Sequence, residues 1–188
     1  MPNVRFDAGL ASIASKRDWR VVAEGLGFTE GPLWHPDGSL LFSDIPNSRI
    51  HRVRDGELDV YREPSGQSNG LALSLDERTL YIDDTNRNHV RAFDVGIDGS
   101  LSNDRVFAEM REEGRPDGMK LDREGRLYVC AGTVQVFAVD GAPLGVIDCP
   151  QSPANCTWGE DGSTLFITAR TAVYATYMDA MGVAPYLR

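Results

Sequence analysis

The sequence predicts an all-β protein, a β-propeller built from four blade-like repeats. One phrase recurs four times along the 188 residues: a leading polar residue followed by a small residue, then an Asp- or Gly-containing turn, then an apolar strand. Short segments rich in Val, Ile, Leu, Phe and Tyr alternate with Gly, Asp, Asn and Pro turns roughly every 8 to 12 residues, which is typical of all-β chains. No segment has a convincing helical period and length.

The leading residues give the length of the repeat. They are Glu30, Asn69, Asp117 and Asn155, separated by steps of 39, 48 and 38 residues. This is the spacing of a repeated sheet unit of about 40 to 50 residues, as in propeller blades. We therefore expect a single propeller domain over residues 1–188, with repeats at about 28–66, 67–113, 114–150 and 151–188.

Each repeat predicts several strands in succession. The first strand follows the leading residue directly, and the second lies beyond the Asp/Gly turn. Third strands are predicted at Arg49–Val53, Val90–Val95, Val134–Val139 and Ala172–Tyr177. Fourth strands are predicted at Asp59–Arg62, Arg105–Glu109 and Gly145–Ile147.

A propeller closes when a strand from one end of the chain joins the blade made by the other end, because an unpaired edge strand invites aggregation. The segment Trp19–Ala23 is apolar enough to be the outer strand of the last blade. The final segment, Met178–Arg188, fits no fifth repeat. We expect it either to cover a sheet edge or contact another subunit, or to be a loose terminus.

Charge and composition exclude several classes of partner for this chain. The net charge of -9 and the absence of a basic stripe argue against nucleic acid as a partner. No apolar run is long enough to cross a bilayer, and the first 17 residues do not read as a secretory signal, so we expect no membrane association and a cytoplasmic location. Three cysteines without a Cys-x-x-Cys spacing are expected to be reduced, partly buried thiols.

The leading residues should converge, because the innermost strand of each blade starts near the central channel. Glu30, Asn69 and Asp117 would bring two carboxylates and one amide oxygen to one point, a set that suits calcium, magnesium or manganese. The alternative is that Asn and Asp before Gly simply form turns. Glu30 favours the cation, since a buried glutamate is costly without a positive partner.

Three stretches of the chain resemble the SMP-30/gluconolactonase/luciferin-regenerating-enzyme family. They are Phe28–Gly38, Ser68–Tyr81 and Arg115–Met119, and the likeness extends from about Phe28 to Ile167. Members of that family are six-bladed propellers with one divalent cation in the channel, and many hydrolyse sugar lactones. The resemblance implies that Glu30, Asn69 and Asp117 are the metal ligands and that Asp117 is also the general base.

The implied activity is metal-dependent opening of a small sugar lactone or ester. The cation would polarise the lactone carbonyl and activate a water molecule, and Asp117 would take a proton from that water. Calcium is the expected cation, with zinc, manganese, magnesium and iron as alternatives. The competing hypotheses are a non-catalytic, metal-stabilised propeller that binds a partner, and a homo-oligomer in which two shortened chains rebuild a larger ring.

The chain also departs from the family pattern. The segment Tyr61–Gly66, which resembles the end of the family's first blade, is followed directly by a sequence that resembles the fourth blade. We therefore expect two middle blades to be absent, together with the family's third-blade asparagine and its substrate-contacting arginine. Asn69 could also match a second-blade Asn-Gly-Leu, but the residues that follow it, up to Val95, are closer to the fourth blade, so we interpret it as the ligand asparagine.

The remaining candidates receive structural roles. His35, His51 and His89 show no partner that would form a catalytic triad and are expected to be structural or on the surface. Trp34 and Trp158 occupy equivalent early-strand positions, where aromatic packing between blades is the ordinary explanation.

Overall fold

The computed structural model describes residues 4–6, 19–34, 39–44, 46–47, 49–62, 70–84, 87–96 and 101–183. These residues form seventeen strands and no helix, so the all-β prediction is confirmed. The strands are β1 (Val4–Phe6), β2 (Arg20–Glu24), β3 (Thr29–Trp34), β4 (Leu40–Asp44), β5 (Arg49–Arg54), β6 (Glu57–Arg62), β7 (Leu71–Leu73), β8 (Thr79–Asp84), β9 (His89–Val95), β10 (Leu101–Glu109), β11 (Met119–Leu121), β12 (Leu127–Ala131), β13 (Thr133–Phe137), β14 (Pro143–Ile147), β15 (Asn155–Gly159), β16 (Thr164–Ala169) and β17 (Ala172–Tyr177).

The strands form four small antiparallel sheets, one for each sequence repeat. Sheet I has the order β3-β4-β5-β6, and sheet II has the order β7-β8-β9-β10. Sheet III has the order β11-β12-β13-β14-β1, and sheet IV has the order β15-β16-β17-β2. Within each sheet, strands that follow one another in the sequence pair side by side, as short polar turns between apolar segments require.

Strand β2 completes the last sheet, in the position predicted for Trp19–Ala23. It pairs with β17, with Ala23 opposite Val173 and Val21 opposite Tyr174. A register shift between these two pairs puts Val21 and Ala23 on opposite faces of β2, and Ala23 is buried while Val21 is exposed. Strand β1 is an addition that the sequence did not reveal: it pairs with β14 as the outer strand of sheet III, with Val4 opposite Ile147.

In sheets II, III and IV, the Asp of the repeated turn holds that turn through its own carboxylate. In sheet III, Oδ1 of Asp122 accepts hydrogen bonds from the backbone amides of Glu124 and Arg126, at 2.9 and 3.0 Å. Asp76 in sheet II accepts from the amide of Arg78, and Asp161 in sheet IV accepts from the amide of Ser163. Side chains of this type stabilise turns by replacing a backbone partner, which explains why the Asp recurs.

The largest hydrophobic cluster lies between sheets III and IV. The rings of Tyr128 and Trp158 meet edge to face with centroids 5.1 Å apart. Cys130 and Cys156 are buried in the same cluster, and both are free thiols, as expected. The packing role expected for Trp158 is therefore observed, and burial of each large apolar side chain stabilises the fold by about 1.5–3 kcal/mol.

Two further clusters join the other neighbouring sheets. One packs Leu40 and Phe42 of sheet I against Phe166 and Val173 of sheet IV. The other lies between sheets II and III. The inner strands also meet in series, since β3 lies against β15, β15 against β11, and β11 against β7. The starts of these four inner strands therefore face a common region.

The segment after β17 packs on the chain itself. Met178 and Ala180 are buried, and Gly182 forms a bridge with Asp122 at the turn of sheet III. A Cβ on Gly182 would lie 1.9 Å from Cγ of Trp158, so only glycine allows this approach. Of the two outcomes expected for the tail, covering an edge is the one seen for residues 178–183; residues 184–188 lie outside the described range.

No helix in the described ranges is long and apolar enough to span a membrane.

Candidate functional site

The inner strands are held together by backbone hydrogen bonds between sheets. The amide of Gly118, before β11, donates to the carbonyl of Ala154, before β15, at 2.7 Å. The amide of Thr29, on β3, donates to the carbonyl of Arg170, after β16, at 2.9 Å. The first bond places residues 117 and 155 close together, and the packing of β3 on β15 brings residue 30 to the same region.

Glu30 follows Thr29 on β3 and is 7% exposed. Burial, followed by the nearby carboxylates of Asp117 and Asp83, raises the pKa of Glu30 to about 7. The structure therefore brings Glu30 and Asp117, two of the three predicted ligands, within electrostatic range of each other. Among the described residues, no cationic side chain forms an ion pair with Glu30.

Asp117 precedes β11 and is fixed by its own backbone. Its amide donates to the carbonyl of Cys130 at 2.9 Å, and the next residue, Gly118, both donates to Ala154 and accepts from Cys130. Burial raises the pKa of the Asp117 carboxyl. The side chain is thus held on a rigid strand start rather than on a free loop.

Asn69, the third predicted ligand, lies outside the described residues. Its neighbour Gly70 is described and is buried against the site. A Cβ on Gly70 would lie 2.0 Å from the carbonyl oxygen of Asp117 and 2.5 Å from Oδ2 of Asp83. The chain at position 70 therefore runs directly past Asp117, and only glycine permits this approach.

Asn155 is a site neighbour that the sequence argument did not use. It is buried, and a Cβ on Gly118 would lie 1.8 Å from its Cγ atom. Its Oδ1 atom accepts a hydrogen bond from the amide of Cys156 at 2.9 Å. The repeat itself carried the signal, because Asn155 leads the fourth repeat as Glu30 and Asp117 lead the first and third.

A cavity of about 150 Å³ opens beside Asp117. Its lining combines residues from the first, third and fourth repeats: Phe28, Gly114, Arg115, Asp117, Gly132, Ser152, Pro153, Ala154 and Arg170. A cavity of about this volume accommodates one six-membered ring such as benzene. Arg115 and Arg170 were not predicted; neither leads a repeat, and only the folded chain brings their two loops to one opening.

The loop that carries Phe28 is anchored by Asp44. Its carboxylate accepts hydrogen bonds from the amides of Gly27 and Phe28, each at 3.2 Å, and from Nδ2 of Asn47 at 2.8 Å. Burial by itself would raise the pKa of Asp44, but these hydrogen bonds outweigh it and lower the pKa. Asp44 therefore stays ionised and keeps the entrance of β3 in place.

The described histidines have the structural surroundings expected of them. The ring of His51 stacks on Phe42 with centroids 5.6 Å apart and lies 3.8 Å from Asp44. Nε2 of His89 lies 3.6 Å from Oδ2 of Asp84. His35 and the side chain of Trp34 are outside the described set.

The donor groups fit a hard cation better than a soft one. The described residues contain no cluster of three or more His, Cys, Asp or Glu side chains ready to hold a metal. What they offer is the carboxylates of Glu30 and Asp117, with that of Asp83 near enough to act on Glu30, and a buried amide at Asn155. Oxygen donors of this kind suit calcium, magnesium or manganese, and a cation would offset both the burial and the repulsion that raise the pKa of Glu30.

Comparison with known proteins gives a consistent result. The family described as the SMP-30/gluconolactonase/LRE-like region matches residues 53–171. A gluconolactonase of Zymomonas mobilis is 37% identical over 127 residues, which cover 61% of this chain and 36% of that protein. A regucalcin of Danio rerio is 41% identical over 110 residues, covering 54% of this chain and 37% of that protein. The chain thus spans little more than a third of the length of these relatives.

A solved structure shares the fold over a larger fraction of the chain. A gluconolactonase of Xanthomonas campestris superposes with a TM-score of 0.82 at 22% identity, covering 94% of this chain and 94% of that one. At this identity the likeness concerns the arrangement of the sheets. It supports the propeller class that the repeats predicted.

Proposed function

This chain belongs to the SMP-30/gluconolactonase/LRE-like family, and from that premise we propose that it is a divalent-metal-dependent hydrolase that opens small sugar lactones. The observation that carries the proposal is the position of Asp117. This carboxylate lines a ring-sized cavity, and it lies close enough to the buried Glu30 to raise the pKa of that residue. A cavity containing a carboxylate with a perturbed pKa is the kind of place where hydrolytic chemistry occurs.

Glu30, Asn69 and Asp117 would hold the cation, through two carboxylates and one amide oxygen. When bound, a divalent cation would supply Lewis-acid polarisation of the lactone carbonyl and of water. The all-oxygen set favours calcium, with magnesium and manganese as the next candidates and zinc and iron as weaker ones. Asn155 is near enough to contribute a further amide to the same region.

Asp117 would act as the general base. Burial raises its pKa, which makes the carboxylate a stronger proton acceptor. It would remove a proton from the water that attacks the carbonyl carbon. One C–O bond forms from that water, the ester C–O bond of the ring breaks, and a proton passes to the ring oxygen, so the product is an open-chain hydroxy acid.

The test is continuous acid release from glucono-1,5-lactone and xylonolactone, measured after chelation and again after each divalent cation is restored. We expect turnover above the spontaneous rate with calcium, and a loss of about 100- to 10,000-fold in Asp117→Asn, as for removal of a general base. Asp55→Asn is the matched control, because Asp55 is an exposed turn residue of sheet I at a positive φ that asparagine tolerates.

Two results would overturn the proposal. The spontaneous rate under every metal condition would favour a non-catalytic binding module, as would a chelator effect on thermal stability with no turnover to lose. Unchanged turnover in Asp117→Asn would remove Asp117 from the mechanism. Calorimetric titration of Glu30→Gln with calcium tests the ligand set separately. We expect the substitution to weaken calcium binding whether or not the chain is catalytic.

We also propose that the four sheets are four blades of one propeller domain around a shared channel. The series of contacts from β3 through β15 and β11 to β7 supports this arrangement. A ring closed within one chain predicts a monomer, while a larger ring rebuilt from two shortened chains predicts a dimer. Light scattering coupled to size-exclusion chromatography distinguishes the two.

A further inference from the structure

Two arginines from different sheets converge on the opening of the cavity beside Asp117. Arg115 lies on the loop that leads into β11 of sheet III, and Arg170 lies on the turn between β16 and β17 of sheet IV. Both line the same cavity of about 150 Å³, and both are exposed to solvent. The two residues are far apart in the sequence, so only the folded chain shows that they line the same cavity.

Neither guanidinium is occupied by a carboxylate within the described residues. Other arginines do form ion pairs with carboxylates. Arg20 lies 2.9 Å from Glu160, and Arg126 lies 2.6 Å from Asp122. Arg115 and Arg170 make no ion pair of this kind in the part of the chain that the structure covers. In a chain of net charge -9, two unpaired cations at one opening are a local reversal of the overall field.

The backbone under Arg115 is fixed by close packing. A Cβ on Gly114 would lie 2.5 Å from the backbone of Ala131, and a Cβ on Gly132 would lie 2.2 Å from the carbonyl oxygen of Glu113. Both glycines have positive φ, at 124° and 74°. The loop on the Arg115 side and the turn after β12 therefore pack backbone against backbone, which holds the base of the Arg115 side chain at the cavity.

The backbone under Arg170 is fixed as well. Its carbonyl accepts the hydrogen bond from the amide of Thr29, the residue before Glu30. Its φ of 48° is uncommon for a residue with a side chain, and the packed turn maintains it. Arg170 is thus tied to the strand that carries Glu30, while Arg115 is two residues from Asp117.

We infer that the cavity selects lactones that carry an anionic substituent, a carboxylate or a phosphate, which Arg115 and Arg170 bind at the opening while the ring lies toward Asp117. Guanidinium groups bind both anions through paired N–H donors, so the two anions are one chemical class for this site. The arrangement also orients the ring, because the anionic group is attracted to the two arginines and repelled by the Asp117 carboxylate. This inference rests on the proposed lactonase function, and it adds the substrate class.

The kinetic test compares kcat/KM for glucono-1,5-lactone, 6-phosphoglucono-1,5-lactone and a glucaric acid lactone on the calcium-loaded chain. We expect the two anionic lactones to be preferred by about tenfold or more, as one charge-assisted hydrogen bond would give. The double variant Arg115→Ala/Arg170→Ala should lose that preference, so that its kcat/KM values for the three lactones become similar. Arg78→Ala is the control, because it removes the same charge from the exposed turn at the far end of β7.

A binding measurement separates failure of this inference from failure of the lactonase proposal. Calorimetric titration with glucose, glucuronate and glucose 6-phosphate requires no turnover. Binding of glucuronate or glucose 6-phosphate in preference to glucose, lost in the double variant, supports the inference and shows which anion is preferred. Equal binding of all three sugars, or an anion preference that survives in the double variant, overturns it. Inorganic phosphate binding as tightly as glucose 6-phosphate also overturns it, because the ring would then contribute nothing.

Discussion

Glu30→Gln in the metal-free protein should stabilise the fold at neutral and alkaline pH. Burial and two neighbouring carboxylates raise the pKa of Glu30 from its ordinary value of 4.5 to about 7. A raised pKa means that the folded state favours the protonated carboxyl, so the stability contribution is complete below pH 4.5 and is lost as the pH rises through 7. The glutamine keeps the shape of the protonated acid and does not titrate.

The magnitude follows from the size of the pKa change. A rise from 4.5 to about 7 corresponds to about 3–4 kcal/mol at most, since one pKa unit is worth about 1.4 kcal/mol. For a domain of 150 to 250 residues, each kcal/mol changes the Tm by about 2–4 °C, so the variant should melt by up to about 6–16 °C above the wild type at pH 8. At pH 4.5 the two proteins should melt together.

The assay is thermal unfolding from pH 4.5 to pH 8 in the presence of a chelator, with Glu57→Gln as the control because Glu57 is an exposed residue of β6. Parallel pH profiles for wild type and Glu30→Gln would contradict this prediction, since they would mean that Glu30 is not held in a repulsive, buried setting. Saturating calcium should reverse the order at pH 8, because the wild-type carboxylate then has a cation to bind and the glutamine does not.

Three further predictions concern the framework of the site and are measured by urea denaturation. Gly118→Ala should cost about 1–3 kcal/mol, because the new methyl group would collide with the buried Asn155; an unchanged midpoint would mean that the two strands are not in contact. Ala23→Asp should cost at least about 2 kcal/mol by burying an unpaired charge, while Val21→Asp on the exposed face of β2 should stay within about 0.5 kcal/mol, and equal effects would contradict the pairing of β2 with the last sheet. Tyr128→Phe should cost about 1–3 kcal/mol by removing a buried hydrogen bond to a carboxylate, and a neutral result would show that this bond contributes nothing.

Local patterns made much of the fold predictable. The third strand of repeat II, predicted at Val90–Val95, is β9 at His89–Val95, because alternation and flanking turns mark a strand on both sides. Strand β13 ends at Phe137 rather than at Val139, since Ala138 already hydrogen-bonds across the turn to Ala142. Strand β1 was missed because three residues carry too little pattern to distinguish a strand from a loop.

The candidate site was predictable only where it obeyed the repeat. Glu30 and Asp117 lead their repeats, and the folded chain brings them together. Asn155 leads the fourth repeat in the same way, and the folded chain places it against Gly118, next to Asp117. Arg115 and Arg170 lie outside the repeated phrase, and their shared cavity depends on the packing of sheets III and IV, which no local pattern encodes.

The pairing of β2 with β17 has a consequence for how the chain is made. Ala23 and its partner Val173 are 150 residues apart in the sequence. At a synthesis rate of about 5–20 residues per second, β2 leaves the ribosome about 8–30 s before its partner exists. Sheets I, II and III can pair their neighbouring strands in that interval, but sheet IV cannot be completed, so the last step of folding closes a very long loop and is expected to be the slowest. Until then, β2 has no partner strand and its apolar side chains are exposed, so it is open to pairing with the edge of another strand.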